Sequence, residues 1–178
     1  MSTLPLIDPS TASEPAAGLL AGVQKSLGVT PNMTKAMANS PALLKGYVEL
    51  SSALGHGVLR PAVREQIALA VAQDNSCNYC LSAHSYLAEH VAHLSEADIA
   101  AARRSEAADA RTAALLAFAT AVNDRRGAVT PEQVDAARRA GASNEEIAET
   151  IGQVALNVLT NFFNKAADVE IDFPVVEA

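Results

Sequence analysis

The stretch EADIAAARRSEAADARTAALLAFATA, from Glu96 to Ala121, is dominated by alanine. Alanine has the highest intrinsic helix propensity, because it loses no side-chain entropy on folding and buries no polar group. Over the 178 residues of the chain, hydrophobic residues make up 49%, aromatic residues only 4%, and Trp is absent. The core therefore has to be built from Ala, Leu, Val and Ile. A chain of this length buries about 70% of its unfolded surface and needs no covalent staples. These features predict an all-α fold in a single domain over residues 1–178.

Helix breakers divide the rest. Ser13 is placed to cap a helix over 14–27 that Gly28 ends. GVTPNM starts a short helix that stops before NSP. Pro41 suits the first turn of a helix running to Leu54 and closed by GHG, and Pro61 starts another, PAVREQIALAVAQDN, with Val63, Ile67, Ala70 and Val71 at helical spacing. Asn75-Ser76 reads as a break and cap before a helix from Cys77 to about His93. Ser95 and Asp98 have capping-box spacing. Residues 109–124, TPEQVDAARRAG with Thr130 as cap and Gly141 as stop, and a long helix capped by Ser143 or Asn144 complete the helical part. DVEIDFPVV alternates polar and apolar and reads as a short strand or an extended arm. The expected organisation is N-terminal helices in 1–40, a half carrying the cysteines in 41–94, a second helical half in 95–168 and an extended tail in 169–178. REQIALAVAQDNSCNYCLSAHSYLA also echoes NEEIAETIGQVALNVLTNFFNKAA eighty residues later, setting Glu65 against Glu145 and His84 against Asn164, a faint sign of a repeated helical hairpin.

The net charge is −7 and the pI near 5.0. That argues against a nucleic-acid or anionic-membrane surface. Arg103-Arg104, Arg125-Arg126 and Arg138-Arg139 read as solvated helix ends. No apolar run reaches the ~18 residues of a membrane span. The N-terminus lacks the basic region of a secretory signal, so a cytoplasmic location is expected. In that reducing compartment a cysteine pair is more often catalytic or metal-binding than a permanent disulfide.

DNSCNYCLSAHSYLAEH, from Asp74 to His90, holds both cysteines of the chain. At about 100° per residue, Cys77, Cys80 and His84 fall on one narrow helical stripe, Cys77 and His84 only about 20° apart. Backbone N–H groups at a helix start favour a thiolate, and an imidazole can take or return its proton. Thiols three residues apart can also close into a disulfide. Glu65 lies twelve residues before Cys77. One unbroken helix would turn it away, but a break at Asn75-Ser76 lets it fold back to face His84 and raise the imidazole's basicity. Rival readings stand beside these. Cysteine is often a small buried hydrophobe. Zinc accepts C-x₂-C spacing, yet there is no second such pair, and the fourth ligand would have to come from His56, His90, His93 or a carboxylate. Leu81 follows Cys80 where haem attachment requires histidine. His56 reads as structural or exposed, His90 and His93 as helix-end cations, Glu65 on spacing alone as a solvated charge, and Asn161 and Asn164 of NFFN either as residues that reach the site from the last helix or, the preferred reading, as capping or core hydrogen-bonding residues.

Glu65 followed by Cys77-x-x-Cys80-x-x-x-His84, within REQIALAVAQDNSCNYCLSAH, resembles the core signature of the AhpD-like alkylhydroperoxidases of the carboxymuconolactone decarboxylase superfamily. The resemblance implies a repeated all-α fold assembled as trimers or hexamers. It also implies reduction of hydroperoxides or disulfides without metal, flavin or other cofactor, with a dithiol reductant, lipoyl-type or another thiol protein, as partner. Carried over by position, Cys80 meets the peroxide, Cys77 resolves, and His84 and Glu65 form the proton relay. Peroxidatic members place a second histidine where this chain has Tyr79, a phenol that does not titrate near neutrality. Tyr79 is thus a secondary site candidate or a packing residue. Alternatives left open are a lyase or isomerase on a small acid, using Glu65 and His84, and a redox-sensing binding protein.

Overall fold

The structure is a computed structural model and describes residues 2–178. Among these residues it contains nine helices and no strand: α1 (Ala16–Leu27), α2 (Asn32–Met37), α3 (Pro41–Gly55), α4 (Pro61–Asp74), α5 (Asn78–His90), α6 (Glu96–Arg103), α7 (Ala110–Asp124), α8 (Pro131–Arg139) and α9 (Asn144–Ala166). The all-α expectation holds. No described helix is long and apolar enough to cross a membrane.

The helices start and stop where the side chains supply partners for end groups. Ser40, Asp109 and Ser143 accept from the backbone N–H of the third residue of the helix each precedes, and capping boxes form at Ser95 with Asp98 and at Ser143 with Glu146. Gly28 and Gly141 close α1 and α8 at φ 76° and 93°, a region open to glycine. Ser13 does not cap α1. The helix begins at Ala16 after Pro15, which has no N–H to give, and the Glu14 carboxylate accepts from the Gly18 N–H (3.3 Å).

Helix α4 is the axis of the molecule and packs against α5, α6, α7 and α9. Gln66 through Ala72 are all buried, so it has no solvent face over two turns. Its Val63, Ile67 and Val71 stripe joins a cluster with Leu115, Leu116 and Phe118 of α7 and Val154 of α9. Its opposite stripe, Leu69 and Ala72, joins a second cluster with Leu20, Met37, Leu44, Cys77, Cys80 and Leu81. The loop into α4 is fixed by Glu149 of α9, whose carboxylate accepts from the N–H groups of Val58 (2.8 Å) and Leu59 (3.0 Å). That carboxylate fills the space a Cβ at Gly57 would occupy, which is why glycine stands there.

The tail after α9 is an extended arm, not a strand. It finds no partner strand and bonds to helix side chains of its own chain. Asp172 accepts from the Asn32 N–H (2.8 Å), the Val176 N–H donates to Ser82 Oγ (2.9 Å) and the Ala178 N–H to Asn78 Oδ1 (3.1 Å). The stretch that echoes α4 and α5 runs through α9 as one unbroken helix. Asn75-Ser76, which turn the chain at φ 49° for Ser76, correspond there to Ala155-Leu156, and nothing stops the helix.

Candidate functional site

Four helices meet at the cysteines. The chain turns after α4, and Cys77 becomes the N-cap of α5 with an extended backbone (φ −102°, ψ 93°). The cap is therefore Cys77, not Asn75 or Ser76, and the angular stripe applies strictly only from Cys80 to His84. Cys77 still reaches the stripe. Its Sγ accepts from the Cys80 N–H (3.4 Å) and lies 2.8 Å from Cys80 Sγ, both cysteines being free thiols. One turn further along α5, His84 Nδ1 lies 2.8 Å from Glu65 Oε2 of α4, with both side chains mostly buried. Glu65 is thus paired, not solvated, and the engaged Nδ1 leaves Nε2 as the ring's free nitrogen.

The charges are distributed unequally. The hydrogen bond from Cys80 pulls the Cys77 thiol down. Burial opposes this, while the Cys80 N–H, the His84 imidazole and the Lys165 ammonium add to it, and the Cys77 pKa is lowered. Cys80 is pushed up by its bond to Cys77 and by burial. The pair shares one proton more readily than it loses two, with negative charge on Cys77. For His84, burial works against the imidazolium, yet the charge and hydrogen bond of Glu65, together with Cys77, outweigh it, and its pKa is raised.

Cys77 lines a surface cleft of about 460 Å³ with Asn78 and Tyr79 of α5, Lys165 of α9 and Asp168 and Glu170 of the tail. Cys80 is buried beside it, and Asn164 Nδ2 of α9 donates to its Sγ (3.2 Å). Asn164 therefore does not cap a helix but hydrogen-bonds in the core at the cysteines, where the reading of NFFN and the register with His84 in the 80-residue echo both allowed it. Tyr47 of α3 was given no role by sequence reasoning. Burial, then the nearby Cys80 and Glu65, push its phenol up to about 12. The Tyr79 hydroxyl is engaged away from the sulfurs. Its hydroxyl accepts from the Met33 N–H (3.1 Å) and donates to Asp172 Oδ1 (2.8 Å), and its ring meets Phe173 edge-on at 5.9 Å. It ties the tail to α5.

His56 Nδ1 contacts Ser52 O at the end of α3, and His90 Nδ1 contacts Tyr86 O, both exposed. Helix α5 ends at His90, not His93. The chain turns back through His93 (φ 56°), and Leu94, which packs onto the first core cluster, donates to Ala88 O (2.8 Å). Among the described residues no three His, Cys, Asp or Glu side chains converge as metal ligands.

No curated protein matches the chain. Residues 41–124, which span α3 to α7, match the family model of the carboxymuconolactone decarboxylase family. The fold is that of an alkylhydroperoxidase AhpD core, an uncharacterised peroxidase-related protein from Ralstonia eutropha JMP134. That structure superposes with a TM-score of 0.84 at 22% identity over 96% of this chain and 92% of that one. A peroxidase-related protein from Silicibacter sp. TM1040 follows at 0.77 and 23% identity, covering 94% and 88%. The debrominase Bmp8, as a cysteine-to-alanine variant in complex with 2,3,4-tribromopyrrole, gives 0.76 and 23%, covering 97% and 94%. The chain thus has the fold of an AhpD core, and its residues 41–124 resemble the carboxymuconolactone decarboxylase family.

Proposed function

We propose that the protein is a thiol-dependent peroxidase and disulfide oxidoreductase working through Cys77 and Cys80. The observation that carries this reading is the Glu65–His84 pair, joined at 2.8 Å, beside two free sulfurs themselves 2.8 Å apart. Glu65 holds the imidazole, and His84 takes the proton of Cys77. The resulting thiolate attacks one oxygen of a hydroperoxide; the O–O bond breaks, the alcohol leaves with a proton from His84, and Cys77 becomes a sulfenic acid. The Cys80 sulfur then attacks Cys77 as its own proton departs with hydroxide as water, forming the Cys77–Cys80 disulfide. A dithiol reductant, lipoyl-type or another thiol protein, restores both thiols by exchange and is itself oxidised to a disulfide. Family position alone gives the first attack to Cys80. The lowered pKa of Cys77 and its place on the cleft support Cys77 instead.

Peroxide turnover with several dithiols, measured on both single-cysteine variants, tests this. Cys77→Ser should consume no peroxide. Cys80→Ser should react once and accumulate sulfenic acid, detected by a sulfenate-trapping reagent. Undiminished turnover in either variant rejects the scheme. The likeness to a debrominase adds a second electrophile to the assay, since a thiolate can also take bromine from an electron-rich ring. 2,3,4-Tribromopyrrole should then release bromide only while Cys77 is present. A homo-oligomer, trimer or hexamer, is part of the same reading. It is supported by the exposed Ile151 and Phe162 on one face of α9 and Leu50 on neighbouring α3, and sedimentation tests it.

A further inference from the structure

Both cysteines are buried, Cys77 being 1% and Cys80 2% exposed, so no water shell stabilises charge on the Cys80 sulfur. Any step that leaves electrons there needs a donor from the protein. The exchange reaction contains such a step. The reductant's thiolate attacks Cys77, the sulfur on the cleft; the Cys77–Cys80 bond breaks, and Cys80 departs with the electron pair.

The last helix presents two buried carboxamides at this point. Asn164 is 3% exposed, and its Nδ2 donates to Cys80 Sγ at 3.2 Å and to Met33 Sδ at 3.3 Å. A thioether is a weak acceptor, so this donor is free to concentrate on a charged sulfur. The Oδ1 of the same amide is buried with no hydrogen-bond partner among the described residues. Asn161, fully buried one turn earlier, has its Oδ1 held by Asn75 Nδ2 at 3.0 Å, and its own Nδ2 has no partner. An orphaned donor such as Asn161 Nδ2 destabilises the resting fold. An apolar helix face would avoid that cost, so a carboxamide pair at this sulfur calls for a state of the site with more charge to accept from it. Both amides act to lower the Cys80 pKa against the effects that raise it.

We infer that Asn164 is a catalytic residue of the reductive half-reaction, donating to Cys80 as it leaves as a thiolate. The inference rests on the redox role proposed for the cysteine pair and adds a division of labour to it. The first half of the chain supplies the base for Cys77, and the echoing helix supplies, at the position matching His84, the donor for Cys80. The step balances. One S–S bond forms between the reductant and Cys77, one breaks between Cys77 and Cys80, and the Cys80 thiolate afterwards takes the proton released by the reductant's second thiol as it closes its own disulfide and expels Cys77.

The test is reduction of the preformed disulfide by dithiothreitol, after oxidation with diamide, followed in a stopped-flow instrument. Asn164→Leu removes the donor at similar volume, and Asn164→Asp keeps the shape but replaces donor with acceptor. Both should slow disulfide reduction by about tenfold or more, the scale of a lost hydrogen bond to a charged group. Alkylation of Cys77 by iodoacetamide in the reduced proteins should stay within about twofold of wild type. Wild-type reduction rates in both variants overturn the inference. So does an equal loss in alkylation, which would mark a general disturbance of the site. The assay does not need peroxide. A protein that consumes no peroxide yet shows the Asn164 effect keeps this inference and loses the proposed peroxidase reaction.

Discussion

His84 is where burial and charge oppose each other, and the Glu65 carboxylate decides the outcome. With Glu65→Gln the opposing burial remains and the attraction goes, so the imidazole pKa should fall below that of the wild type. Proton NMR titration of the ring measures this, and an unchanged pKa would mean the 2.8 Å contact carries no charge interaction. The same linkage has a sign in stability. A folded pKa raised above the ordinary value near ~6.5 gives stabilisation that is fully present below about pH 6.5 and is lost as pH rises through the folded value. Stability curves of wild type and Glu65→Gln should therefore converge above the folded His84 pKa and separate below it, wild type being the more stable. The Cys–Cys–His relation was legible because it is local: three and four residues on a helix fix an angle. Glu65 needed one tertiary assumption, the break at Asn75-Ser76. Tyr47 and Asn164 arrive from helices 30 or more residues away; helical periodicity carries nothing of Tyr47, and only the faint 80-residue echo points to Asn164.

The turn between α4 and α5 and the arm that covers α5 set the surroundings of the site. Tyr79 joins them, accepting from a buried backbone N–H and donating to Asp172. Tyr79→Phe leaves the Met33 N–H without its partner and should destabilise the protein by about 1–3 kcal/mol. Amide exchange over 170–178 should quicken while the Cys77 pKa stays put. A shifted Cys77 pKa would give Tyr79 the relay role that the related histidine position suggests. The capping box of α6 is a separate device; Ser95→Ala should cost about 1 kcal/mol in chemical denaturation. The capping signals at Ser95, Thr130 and Ser143 were readable because each is a short local exchange of hydrogen bonds. The arm was not, since alternation in DVEIDFPVV fits a strand as well. The choice was made by distant partners, Asn32, Ser82 and Asn78.

Helix α4, which carries Glu65, supplies buried residues to both core clusters, and α9 joins them through Val154 and Phe163. Ile67 is fully buried between α4 and α7. Ile67→Ala should destabilise by about 2–5 kcal/mol, the range for cavities of this kind, with the denaturant slope unchanged. Alanine density announced a helical core in advance. Which helix would be central was not announced, because PAVREQIALAVAQD contains Arg64, Glu65, Gln66 and Gln73 and looks no more buried than α7 or α9. Burial of α4 on every side is what brings Glu65 and the Cys77 turn together, and so the fold and the candidate chemistry have one origin.

The most direct test of that joint origin is the ionisation of Cys77, followed by thiolate ultraviolet absorbance against pH in wild type, Glu65→Gln and Cys80→Ser. The account predicts a wild-type thiol that titrates below the ordinary cysteine range and moves upward in both variants, because each removes a group that stabilises the thiolate directly or through His84. A wild-type Cys77 with an ordinary pKa, or one that neither substitution moves, would contradict it.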